Sequence, residues 1–286
     1  MPGGGPMNVA VACARLGVPS AFVGRVSTDV YGEAIWTFLR DNGVDLRACQ
    51  RGPEATARAI VEHTPKLQFR FEGTGTADTM LTSVEMDRLG RGPHILHGGT
   101  LGMFRGRTAE TLARLAERHP GIVSVDPNVR PQIIDDPARW HHYHNRWLAR
   151  AHIYRASDED LAWIWPGRGG AECAAELLSG NPSVVFITHG EPGATVYTPD
   201  GELPADAEAV EVADEVGAGD TFAAAILASV WKLGLAGDPE GLGRMELADW
   251  RDALQLAIVA AGITCSRPGA DPPRLAELPQ GMGFEL

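Results

Sequence analysis

The sequence predicts an α/β fold, a mostly parallel sheet covered by helices, with a small antiparallel sheet inserted near its start. Three observations carry this. Short β-branched runs alternate with amphipathic stretches along most of the 286 residues, the pattern of repeated β–α units. Between Leu46 and Phe71 three strand-like runs follow one another with turn residues between them and no helical period, as expected of an antiparallel insertion. A third region, around Val210, passes from a strand-like run through a Gly-rich turn into a long apolar segment.

Each element is justified by its local pattern. The β-branched and aromatic runs predict strands over Ala21–Val26, His94–His97, Ile122–Asp126, His152–Tyr154, Val184–Thr188, Thr195–Thr198 and Ala209–Val212. The 3.6-residue periodicity predicts helices over Met7–Leu16, Tyr31–Asn42, Thr108–Arg118, Asp158–Trp165, Ala171–Ser179, Ala218–Leu233 and Leu247–Thr264. Within the insertion the expected strands are Leu46–Gln50, Thr56–Glu62 and Leu67–Phe71. The expected division is therefore a body of residues 1–45 and 73–286, with an inserted lid at 46–72.

Composition narrows the function. The formal net charge is −12, from 25 Lys and Arg against 37 Asp and Glu, which argues against nucleic acid or an anionic membrane as the main partner. A local cluster of backbone amides can still bind phosphate on such a surface. Cys13, Cys49, Cys173 and Cys265 stand far apart, so no zinc site or disulfide framework is expected. Reduced thiols, the lack of a spanning apolar run and the lack of a leader pattern predict a cytoplasmic protein. His141, His142 and His144 lie close together, but without a Cys or paired carboxylate they read as a solvated helix face.

The chemistry concentrates after Val210. Gly217 and Gly219 allow a close backbone approach. The first turn of the helix from Ala218 then points free N–H groups, and the positive end of its dipole, at that spot. Asp220 lies in the same turn. It is either an N-terminal cap or a general base beside an anion hole, able to take the proton of a hydroxyl that attacks a phosphoryl group.

Asp214-Glu-Val-Gly-Ala-Gly-Asp220, followed by Thr-Phe-Ala-Ala-Ala, resembles the C-terminal signature of the PfkB sugar kinases. Gly3-Gly-Gly-Pro-Met-Asn8 through Gly17 is similar to the family's N-terminal signature, and Phe22 through Gly32 to the stretch after it, with Ser27 where glycine is usual. Phe71-Glu-Gly-Thr-Gly-Thr-Ala-Asp78 and Asp126-Pro-Asn-Val-Arg130 resemble segments of fructokinase-like members. Ser157–Asp160, Thr188-His-Gly190 and Cys265–Ala270 resemble the family's magnesium-ordering element, nucleotide turn and adenine-closing segment.

The resemblance implies a ribokinase-like three-layer sandwich with a β lid at 46–72 and a homodimer formed through it. It implies transfer of a phosphoryl group from ATP to a sugar, with Mg²⁺ and in some members K⁺. Asp220 would be the base, with Gly217, Ala218 and Gly219 as the anion hole. Gly4, Gly5, Asn8, Phe71 and Arg130 would contact sugar, although Asn8 could equally be a helix cap and Arg130 a scaffold residue. Ser157, Thr188, Gly190 and Gly269 would meet the nucleotide. Asp160 would order Mg²⁺ through water, and Asp214 would help hold the monovalent cation.

Several positions depart from the family pattern. The family's first strand, with an acidic sugar contact, has no counterpart ahead of Gly3. Glu215 replaces Thr or Ser, Asp160 replaces Glu, and Ile258 replaces a small polar residue. Two alternatives follow. One is a 2-keto-3-deoxygluconate kinase, using Arg130 or Arg70 for the substrate carboxylate. The other is a sugar- or nucleotide-binding protein without strong turnover.

Overall fold

The structure is a computed structural model, and it describes residues 1–63, 67–89 and 92–279, the side chains of 61–63 and 67–71 excepted. In chain order the first elements are α1 (Gly5–Arg15), β1 (Arg25–Ser27), α2 (Val30–Asp41), β2 (Gln50–Gly52), β3 (Arg58–His63) and β4 (Leu67–Glu72). Next come β5 (Ile95–Gly99), α3 (Gly106–Arg118), β6 (Ile122–Asp126), α4 (Pro137–Leu148), β7 (Ile153–Ser157), α5 (Asp158–Ile164), α6 (Gly170–Leu178) and β8 (Val184–Thr188). The chain continues with β9 (Ala194–Thr198), β10 (Gly201–Ala205), α7 (Ala218–Lys232), α8 (Pro239–Gly243) and α9 (Trp250–Cys265).

Six strands form one sheet in the order β10-β9-β8-β7-β6-β5, parallel from β5 to β8 and antiparallel from β8 to β10. Strand alternation sends Ile122, Ile153, Val184 and Phe186 to one face, where α1, α7 and α9 pack. It sends Val123, Val125, Tyr154, Val185 and Ile187 to the other, against α3, α4, α5 and α6. The result is the three-layer sandwich that the resemblance implies. Large side chains lock the layers. Trp147 is 1% exposed, and truncating such a ring costs about 3–5 kcal/mol. A Cβ at Gly98 would collide with that ring, which explains the small residue inside β5.

Three expectations change. The insertion is not a three-stranded sheet: β2 pairs in parallel with β1, and only β3 and β4 form an antiparallel hairpin. Leu46 packs instead against the apolar cluster under α1 and α2. The expected strand Ala209–Val212 is irregular, with Val210 and Val212 exposed; Ala213 and Asp214 donate their N–H groups to the Cys265 carbonyl. The sheet's antiparallel edge is β10 instead. It carries Pro204, whose missing N–H an edge strand tolerates. Finally, the histidine cluster lies on α4 but is not all solvated. His144 is buried, stacked on Trp140 with its Nε2 2.9 Å from Tyr154 Oη.

Candidate active site

The strands of the parallel sheet end in polar residues on the face toward α7. Asp126 closes β6, Arg155 lies near the end of β7 and Thr188 closes β8. These are the carboxyl ends of parallel strands, where ligands of α/β folds bind. The start of α7 comes down onto them. Gly217, its N-cap, has φ 84°, the left-handed region that a side chain disfavours. A Cβ there would also lie 2.7 Å from the Ala270 Cβ. Asp214 fixes the approach to this turn by accepting from Val216 N at 3.0 Å and Gly269 N at 2.9 Å.

Ala218 N–H turns back to the Glu215 carbonyl at 3.3 Å. Among the described residues the Gly219 and Asp220 amides meet no backbone carbonyl, so they remain as donors at the positive end of the α7 dipole. Asp220, 8% exposed, is held by Asn8, whose Nδ2 donates to Oδ2 at 2.7 Å. Burial raises the Asp220 pKa, while the Asn8 hydrogen bond and the charges of Arg155 and Arg130 pull it back. The Asn8 side chain therefore reaches across to the carboxylate; it does not cap α1, whose N-cap is Gly4.

Gly5 opens α1 beside this carboxylate. A Cβ on it would strike Thr100 Oγ1 and approach Asn128 Nδ2 and Asp220 Oδ1 at 3.3 Å each. Thr100 and Asn128 have φ 55° and 40°. Asn tolerates this region and a β-branched Thr resists it. Both lie just past the ends of β5 and β6. Gly99 lets those ends close up, since a Cβ there would overlap the Asp126 carbonyl. Asp126 Oδ1 accepts from Asn128 N at 3.1 Å. Its carboxyl is pushed up to about 7 by burial, with Asp160 and Asp220 adding and Arg155 opposing.

The other expected residues fall nearby or apart. Arg130 is exposed, and its charge reaches Asp220. Asp160 is 4% exposed and forms a capping box with Ser157 at the start of α5. Its Oδ1 accepts from Val129 N at 2.6 Å, so it also anchors the loop that carries Asn128 and Arg130. Thr188 accepts from Arg155, and Gly190 and Gly269 take left-handed φ values of 72° and 73°. Gly4 is exposed, with φ 143°. The Phe71 side chain lies outside the described residues. Thr100, Asp126, Asn128 and Arg155 complete the site without having been singled out. Asp126 and Asn128 sit inside the Asp126–Arg130 run, and the signal for Arg155 is a lone charge within an apolar strand pattern.

Comparison with known proteins follows the same lines. The profile described as pfkB family carbohydrate kinase matches residues 1–277. A fructokinase from Rhizobium leguminosarum bv. trifolii is 35% identical over 231 residues, 80% of this chain and 71% of the relative. A fructokinase from Vibrio cholerae O395, solved with fructose, ADP and calcium ion, is 26% identical with a TM-score of 0.78, covering 94% of this chain and 86% of its own. An Escherichia coli structure holding ATP and Mg²⁺ is 25% identical with a TM-score of 0.80, covering 97% of this chain and 90% of its own.

Proposed function

The chain belongs to the pfkB family of carbohydrate kinases, and we propose that it moves the γ-phosphoryl group of ATP onto a hydroxyl of fructose, with Asp220 as the general base. The carrying observation is the pairing of the Asp220 carboxylate with the unpartnered amides of its own helical turn. Asn8 occupies Oδ2, which leaves Oδ1, on the Gly5 side, to accept the hydroxyl proton. The Asn8 donor and the two arginine charges favour the ionised form that a base requires. Of the expected anion hole, Ala218 spends its amide on Glu215, so the Gly217 and Gly219 amides, with that of Asp220, would face the oxygens of the transferring group as its charge shifts. Thr100, held in a costly backbone conformation, and Asn128, both beside Gly5, would set the sugar's position.

Among the described residues no group of three metal-ligating side chains exists. Mg²⁺ would therefore be carried mainly by the phosphates, whose charge it offsets. Asp160 fits only as a distant partner: Oδ2 accepts from Ser157 N and Oγ, and Oδ1 retains one direction for a metal-bound water. Asp214, between Val216 and Gly269, is the proposed support of a K⁺ site. Homodimerisation would use the β3–β4 hairpin, beside which Val30 and Tyr31 are 75% and 52% exposed.

The test is ADP production with Mg²⁺ and a sugar panel, in the parent and in Asp220→Asn. The substitution should lower kcat by at least about 10²-fold; equal turnover in both proteins ends the base assignment. Including 2-keto-3-deoxygluconate decides the second reading, which Arg130 favours by placing a cation near Asp220.

A further inference from the structure

Arg155 stands where three strands and a helix meet. It projects from β7 toward α7 and is 9% exposed. Nη1 donates to Asp126 Oδ2 at 3.0 Å on β6, and Nη2 donates to Thr188 Oγ1 at 2.6 Å on β8. The terminal end of the guanidinium lies against Gly219. A Cβ at that glycine would sit 2.8 Å from both Nη1 and Nη2 and 3.0 Å from Cζ. Nε is buried without a partner among the described residues.

A buried ion pair with one donor left unsatisfied is a poor device for stability, because desolvation consumes most of the Coulombic gain. An apolar side chain would fill the same space at lower cost. What an apolar chain would not supply is a fixed positive charge, shaped as a plane, directly under the turn that carries Asp220.

We propose that Arg155 is a positioning residue for phosphoryl transfer: it sets the seat of the first turn of α7 on the sheet and holds a fixed positive charge beneath the turn that carries Asp220. This rests on the reading of Asp220 as the base. The charged and titratable groups around Arg155 and Asp220 come from every side. Asp126 from β6 and Asp160 from α5 are buried acids, Arg130 from the loop after β6 is exposed, and α1 contributes only the neutral Asn8. From β5, His97 faces Arg155 as a neutral ring, pushed down to about 4 by burial and then by Arg155 itself. Arg155 is thus the buried cation among these acids. Arg130 acts through solvent and is screened by salt. The same packing gives Gly219 a second reason to be glycine, since any side chain would push the guanidinium off its seat.

The experiment compares the pH dependence of kcat/KM for Arg155→Met, Arg155→Lys, Asp220→Asn and the parent. In Arg155→Met the acid limb should move up by about one pH unit, the shift that follows from removing one nearby opposite charge. Arg155→Lys keeps a charge but loses the planar fork. Its limb should stay close to the parent's while kcat falls about tenfold with KM for the sugar little changed. An acid limb unmoved in Arg155→Met, beside a dead Asp220→Asn, overturns the role of Arg155 and leaves the base intact. If Asp220→Asn keeps the parent's activity, the base reading and this inference fall together. Should Arg155→Met not fold, Arg155→Lys decides: kinetics matching the parent's refute the proposal.

Discussion

Asp29 provides the most direct test of how the inserted hairpin is attached to the body. It caps α2 by accepting from Gly32 N at 2.7 Å. It also receives Thr56 Oγ1 at 2.7 Å on Oδ1 and Thr56 N at 2.8 Å on Oδ2. Thr56 lies two residues before β3, so one carboxylate ties a body helix to the root of the hairpin. Asp29→Ala removes all three bonds. Loss of a cap costs about 1 kcal/mol, and a bond to a charged acceptor about 1.5–3 kcal/mol. Allowing the Thr56 hydroxyl to turn to water, the sum is about 3–4 kcal/mol. For a chain of this size that is a fall in melting temperature of roughly 6–8 °C.

The pH dependence follows from the direction of the Asp29 shift. Burial works to raise its pKa, but the bonds from Thr56 and Gly32 outweigh it and hold the carboxyl below the ordinary carboxylate range. A depressed folded pKa means stability that is present above the unfolded value of about 3.9 and lost as pH falls through the folded one. The melting gap between parent and Asp29→Ala should therefore be constant from about pH 5 upward and narrow progressively as pH falls below about 4. Calorimetry across pH, with hydrogen exchange at the Thr56 amide, reads both. A variant that melts within about 1 °C of the parent and keeps Thr56 protected would refute the reasoning.

Two further predictions concern the base. Asn8→Ala removes the donor that favours ionised Asp220, so the acid limb of kcat/KM should shift upward; a downward or absent shift in a pH–rate profile counts against that bond. Gly5→Ala places a methyl against Thr100 Oγ1 and 3.3 Å from Asp220 Oδ1. It should lower kcat/KM for the sugar at least about tenfold while leaving ATP binding near the parent's, as titration calorimetry would show.

The junction from the Gly-rich turn into α7 was legible because its signals are local. A glycine at a left-handed φ, a run of small apolar residues and a carboxylate one turn in are all adjacent in sequence. The alternation of Ala209–Val212 is local too, yet it misleads: the segment is irregular, and the Ala213 and Asp214 amides that follow it are spent on the Cys265 carbonyl at the end of α9. The β10 strand was illegible for the converse reason. Its Pro204 and exposed Glu202 weaken the strand signal, while its pairing with β9 is a tertiary fact.

The strained residues and the buried arginine show where sequence reading ends. Thr100 and Asn128 adopt left-handed angles because two strand ends close on one another through Gly99, and no propensity of Thr announces that. Arg155 is different, because its partner follows from register. The ladder pairs Ser124 with Ile153 and Val125 with Tyr154, and one further step sets Asp126 beside Arg155. An even spacing from Ile122 and Ile153 turns both toward α7. A charge of each sign, at the same height on adjacent parallel strands, must then either pair or remain buried alone. Once β6 and β7 are taken as neighbours in that register, the ion pair beneath Gly219 follows from the alternation of the strands. The information absent from the sequence is the register itself, which is set by how the helices on both faces fill the space between the strands.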